Sequence, residues 1–185
     1  MKIPKNPLPR VVSLHNDGQV SLITPAQLAD WFDAHAAHLV LYARQWVELQ
    51  TAEDLVQEVF VKLATQSQPP ANAKAWLLVG VRNAAFDALK TSRRRRQRDQ
   101  RAGEDRSLLF ENAAQSARLD AAELQNALEG LPALEREVIT LRIWAEATFE
   151  EIAAVMGMPL STIYQHYRSG LDMLRSRWES PCPKK

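Results

Sequence analysis

The stretch TFEEIAAVMGMPLSTIYQHYRSG, residues 148–170, decides how this chain is read. Thr148, with Glu151 three residues on, forms a capping box that opens a short helix to Met156. Gly157-Met158-Pro159 is a turn, and Gly157 adopts the positive φ of such a turn without a Cβ penalty. A second helix starts near Leu160. Ala153 is small where the second helix crosses the first, and Ile163 is a branched apolar residue facing inward. The spacing of Ala153, Gly157 and Ile163 predicts a helix-turn-helix. Its second helix would expose Thr162, Tyr164, Gln165, His166, Arg168 and Ser169. Residues near the start of such a helix enter the major groove of DNA. There Gln pairs with adenine, and His or Arg donates to guanine. Arg168 and Arg175 would meet phosphates.

The same helical periodicity extends outward in both directions. The final helix runs to about Trp178. Upstream, Gly130 ends a helix over 119–129, and Pro132 opens the next, with Leu134, Val138 and Leu141 inward. In the first third, Thr24-Pro25-Ala26-Gln27 offers an N-cap Thr, a first-turn Pro and a Gln three residues after the cap. Leu28, Trp31, Phe32, His35, Leu39, Tyr42 and Trp46 mark one face of that helix. Thr51-Ala52-Glu53-Asp54 is a weaker capping pattern before Leu55, Val56, Val59, Phe60 and Leu63. Gln66 to Ala73, with Pro69-Pro70, reads as a loop, and a third helix spans about Lys74 to Ser92. Apolar alternation is absent and there are only six glycines, so the fold class is all-α. Two small helical domains are expected, at 24–98 and 119–179. A loose leader would occupy 1–23, a linker 99–118 and a tail 180–185. Leu108-Leu109-Phe110 is an apolar patch within the linker.

Charge is nearly balanced over the 185 residues, with 23 Lys+Arg against 22 Asp+Glu. That balance argues against a simple polyanion binder, which is usually strongly basic. It hides a split: residues 1–103 carry 14 basic and 9 acidic side chains, and residues 104–185 carry 9 and 13. From Lys90 to Arg101 the basic residues are Lys90, Arg93, Arg94, Arg95, Arg96, Arg98 and Arg101, against Asp99 alone. Such a run is either a solvated helix end or an electrostatic footprint for phosphates. At about 100° per residue, Asn83, Asp87, Lys90 and Arg94 form one polar stripe leading into it. On the second helix, Asp54, Gln57 and Glu58 share a polar face with Lys62, as a solvated face or a dock for a basic protein.

Several function classes are excluded or disfavoured. A lone cysteine, Cys182, rules out a disulfide framework and fits a reducing compartment. His35 and His38 share a helix face, but no third metal ligand is evident. There is no phosphate loop, and Cys182 has no base nearby. No segment approaches the ~20 apolar residues of a membrane span, and Met1 to Arg10 is not followed by a signal-peptide core. We therefore expect a cytoplasmic protein that is not an enzyme, with no cofactor and no metal.

Four blocks together resemble a bacterial RNA polymerase sigma factor of the extracytoplasmic-function (ECF) type, in the sigma-70 family. They are Ala52-Glu53-Asp54-Leu55-Val56-Gln57-Glu58-Val59-Phe60; Trp76-Leu77 through Arg82-Asn83 and Asp87-Ala88-Leu89 with the arginines; Leu131-Pro132 with Arg136-Glu137-Val138; and Glu151-Ile152-Ala153, Gly157 and Pro159 to Ile163. The resemblance spans about Leu28 to Arg175, with a gap at the linker. It implies a sigma factor that directs core polymerase to promoters and opens them. Asp54, Gln57 and Glu58 would then bind polymerase. Arg82, Asn83, Asp87, Lys90 and Arg93 to Arg96 would serve the −10 element, with the loop 66–73 forming part of a pocket for a flipped base. Thr162, Tyr164, Gln165, His166, Arg168, Ser169 and Arg175 would serve the −35 element. Phe60 and Trp76 would be structural. The implied partners are core polymerase, through its clamp helices and flap, promoter DNA and an anti-sigma factor. The chain departs from the pattern in two places. Tyr164, His166 and Ser169 stand where basic residues are common, and the leader is long. A sigma-mimic decoy for an anti-sigma factor and a helix-turn-helix regulator remain the alternatives.

Overall fold

The computed structural model describes residues 23–100, 127, 128 and 130–179. Of residues 95–100, 178 and 179 it describes the backbone only. Most of the leader, the linker with Leu108 to Phe110, most of the 119–129 helix and the tail lie outside the described residues. Among the described residues, six helices run in order: α1 Pro25–Ala43, α2 Leu49–Ala64, α3 Ala73–Gln100, α4 Ala133–Ile143, α5 Phe149–Met156 and α6 Leu160–Glu179. The chain is all-α, and it divides into two compact units, the first holding α1 to α3 and the second α4 and α6.

In the first unit, α1 starts as its cap demands. The Thr24 hydroxyl accepts from the Gln27 amide at 3.2 Å, and the Gln27 side chain accepts from the Thr24 amide at 3.0 Å. Only the end of α1 is buried, through Leu39, Tyr42 and Ala43. Trp46 lies in the turn beyond α1, yet it still packs on this unit, edge-on to Tyr42 at 5.0 Å and to Phe86 at 4.9 Å. The α2 cap is Glu48 and not the expected Thr51, whose hydroxyl donates to the Glu48 carboxylate at 3.3 Å from inside the first turn. Val56, Val59, Phe60 and Leu63 recur at helical spacing and are at most 5% exposed. Each contributes about 1.5–3 kcal/mol through burial. Trp76 is 2% exposed and lies in the core.

Helix α3 continues eight residues past the expected end at Ser92. The segment from Thr91 to Gln100 holds no Gly or Pro, and Arg and Gln are good helix formers. Thr91, Arg93 and Arg94 are exposed, yet the helix continues past them.

In the second unit, Pro132 opens α4 as its N-cap. Val138, Ile139 and Leu141 are fully buried, and Ile139 joins Leu131 and Leu174 in a core that Trp144 and Tyr167 flank. The capping box of α5 is present: the Glu151 carboxylate accepts from the Thr148 amide at 2.9 Å, and the Thr148 hydroxyl accepts from the Glu151 amide at 3.1 Å. Gly157 has φ 66°, as the turn requires, and Ile163 is fully buried.

Candidate functional site

Burying one side of α2 turns the other side outward. Asp54, Gln57 and Glu58 are all exposed. They span about 100° of arc at 100° per residue, with Val61 between them. Val61 is 63% exposed, so the patch has an apolar centre and an acidic rim. Lys62 Nζ lies 3.4 Å from Glu58 Oε2 on this face, with both side chains mostly exposed. Such a pair is worth under about 1 kcal/mol and exchanges readily for a partner's cation.

On α3 the sequence-derived set divides. Asp87, Lys90, Arg93 and Arg94 are exposed and Asn83 is half-buried. Arg82 is 1% exposed, and its guanidinium stacks 4.7 Å over the Phe86 ring. It lies about 100° off the polar stripe and belongs to the interior, so it does not share the surface assigned to it. Side chains of Arg95 and Arg96 lie outside the described residues. Asn72, a residue the sequence reading left within the loop, sets the start of this helix: its side-chain oxygen accepts from the Ala75 amide at 2.8 Å. Asn belongs to the strong N-cap class, and that signal was available in the sequence.

On α6, Gln165, Arg168 and Ser169 share an open groove with Asp172, Met173 and Ser176. Arg175 is exposed and Thr162 half-buried. Two other members of the set are engaged within the unit. The Tyr164 ring, though 47% exposed, rests 4.2 Å from the Phe149 ring. His166 Nδ1 lies 3.0 Å from Glu135 Oε1. Arg142, missed by the sequence reading, braces the same region. It donates to the Ala147 carbonyl at 2.9 Å and lies 5.0 Å over Phe149.

Comparison with known proteins matches these units separately. The Sigma-70 region 2 model covers residues 31–95, and the Sigma-70 region 4 model covers residues 127–176. The ECF RNA polymerase sigma factor EcfG of Rhodopseudomonas palustris is 31% identical over 129 residues, 68% of each chain. The chain belongs to the ECF RNA polymerase sigma factors. It is an alternative sigma factor, which directs core polymerase to specific promoters and promotes their opening. The sigma factor is also 28% identical to RpoE of Cereibacter sphaeroides over 130 residues, 68% of this chain and 69% of that one. SigE of Mycolicibacterium smegmatis is 31% identical over 132 residues, 67% of this chain and 50% of that one. Two solved structures share the fold. RpoE of Bartonella quintana, in complex with the anti-sigma factor NepR, gives a TM-score of 0.66 at 24% identity, covering 86% of this sigma factor and 100% of that chain. CnrH, in complex with the cytosolic domain of CnrY, gives 0.60 at 20% identity, covering 86% and 92%. No described helix of the sigma factor is long and apolar enough to cross a membrane.

Proposed function

We propose the following division of labour for this sigma factor. Residues 24–98 form the polymerase and −10 domain, and residues 119–179 the −35 domain. The α2 face of Asp54, Gln57 and Glu58 docks on the clamp helices of core polymerase. The exposed α3 stripe of Asp87, Lys90, Arg93 and Arg94, continued through Arg95 and Arg96, holds the −10 element. Asn83 lies at the inner margin of that stripe. Binding energy on flipped bases of the displaced strand, without ATP, drives opening. On α6, Gln165, Arg168 and Ser169 meet the −35 element, with Thr162 and Arg175 beside them and the domain held near the flap.

The observation that carries this reading is the pairing of an acidic α2 face with a basic α3 end on one small unit. The first suits a protein partner and the second a polyanion. The protein acts in the cytoplasm as a dissociable subunit with no active site of its own. Because the Bartonella quintana relative was solved with an anti-sigma factor, sequestration by such a partner is part of the proposal.

Run-off transcription with purified chain and core polymerase tests the reading. The expected result is specific initiation with footprints at −10 and −35. It is lost in the Asp54→Lys/Glu58→Lys variant through failure to bind core polymerase. No specific initiation across a genomic promoter pool overturns it.

A further inference from the structure

His166 faces Glu135 across 31 residues of sequence, with their side chains 23% and 13% exposed. A carboxylate accepts and does not donate, so the Nδ1 hydrogen of His166 donates to Glu135 Oε1. The pair sits where α4 and α6 approach closely. One turn further along α6, a Cβ at Gly170 would stand 2.6 Å from Ile139 Cδ1 and 3.2 Å from Glu135 Cβ. Glu135 is therefore bracketed by His166 and Gly170 on successive turns of α6. Ile163 and Leu174 anchor the same helix through apolar burial, which sets the buried face of α6 but not the fine angle of its exposed side chains. A hydrogen bond is directional and does. His166 also lies about 100° around the helix from Gln165, away from the middle of the open groove.

We propose that Glu135 is a positioning residue for −35 recognition. By holding His166 it fixes the rotation of α6, and with it the angle at which Gln165, Arg168 and Ser169 meet the bases. This rests on the −35 reading given above. His166 then acts through α6 and does not read a base, which also accounts for a histidine where the family pattern favours a basic side chain.

The test uses full-length chain in holoenzyme with core polymerase, on a promoter and a panel of single base-pair changes across its −35 element. Glu135→Ala and His166→Ala are each expected to lower −35-dependent transcription about tenfold, the scale of one part-buried charge-assisted hydrogen bond. The double variant should lose no more than either single one, because both remove the same contact. The loss should be uniform across the base-pair panel. Glu135→Gln and His166→Asn keep an acceptor and a donor in place and should restore most of the activity, which a general folding defect would not allow.

The proposal is overturned if His166→Ala changes preference at one base pair while Glu135→Ala matches the parent chain. It is equally overturned if both single variants match the parent chain or if their losses add. Arg168→Ala separates this from the reading beneath it. If the parent chain gives no −35 footprint and Arg168→Ala changes nothing, the −35 assignment itself falls, and the positioning role with it. If Arg168→Ala weakens the footprint and Glu135→Ala does not, only the positioning role falls.

Discussion

The two helices assigned to DNA handle their polar residues in opposite ways. The far part of α3 presents Lys90, Arg93 and Arg94 outward with little packed against them. Helix α6 turns His166 to Glu135 and Tyr164 to Phe149, and leaves an open groove with Arg168 as its single cation. On the proposed reading, one surface works by charge density and the other by shape. Charge density gives affinity and salt sensitivity, whereas a fixed side-chain set gives sequence discrimination. Helix α3 thus suits a melted strand held through its backbone, and α6 suits a duplex read through its groove.

Replacing Arg93, Arg94, Arg95 and Arg96 together by Ala attacks the charged surface and has the largest expected effect. Binding of holoenzyme to an open −10 strand should fall about a hundredfold at 0.1 M salt, and its logarithmic salt slope should shrink by about 3. Filter binding across a salt series measures both. Stability should not fall by more than about 0.5 kcal/mol per substitution, and relief of like-charge repulsion along the helix should offset part of any loss.

Arg82→Ala should do the reverse. It removes a buried guanidinium from the Phe86 ring and leaves its interior partners without it, costing about 3 kcal/mol of stability in urea unfolding. Stability equal to that of the parent chain would place Arg82 back on the surface set. In the second unit, Thr148→Ala should cost about 1 kcal/mol by removing one half of the α5 capping box. Ser169→Lys adds a cation to the α6 groove and is the mildest change. It should steepen the salt slope of −35 binding by about 0.9, one phosphate contact, without changing base preference. An unchanged slope would show that the groove does not face the duplex backbone.

What the sequence revealed and what it concealed follow a physical boundary. The Thr24 and Thr148 capping boxes, the turn at Gly157 and the inward Ile163 are all determined within a few residues, and each stands in the structure as read. The family resemblance drew on the same local blocks. Non-local features were hidden. The contact between Glu135 and His166 closes a loop of 31 residues, which no periodicity reports. Arg82 took its −10 role from the family resemblance, whereas its burial depends on what packs against α3, which residue type does not report. The α2 start failed for a subtler reason. Thr51 has the composition of a cap, but the helix gained another turn back to Leu49, and its hydroxyl bonded to Glu48 instead of to the backbone. The end of α3 was misplaced because loss of apolar periodicity signals loss of burial, not loss of helix.

The length of α3 carries a consequence of its own. Twenty-eight residues make a rod of about 42 Å. Its first part is clamped by α1 and α2, while Lys90, Arg93 and Arg94 stand on successive turns, close enough to repel. Like charges at these spacings oppose a helix by a few tenths of a kcal/mol per pair. A strand of phosphates laid along them cancels that opposition. Backbone amides at this end should therefore exchange with solvent more slowly once nucleic acid is bound, so that ionic strength governs the stiffness of the rod as well as its grip.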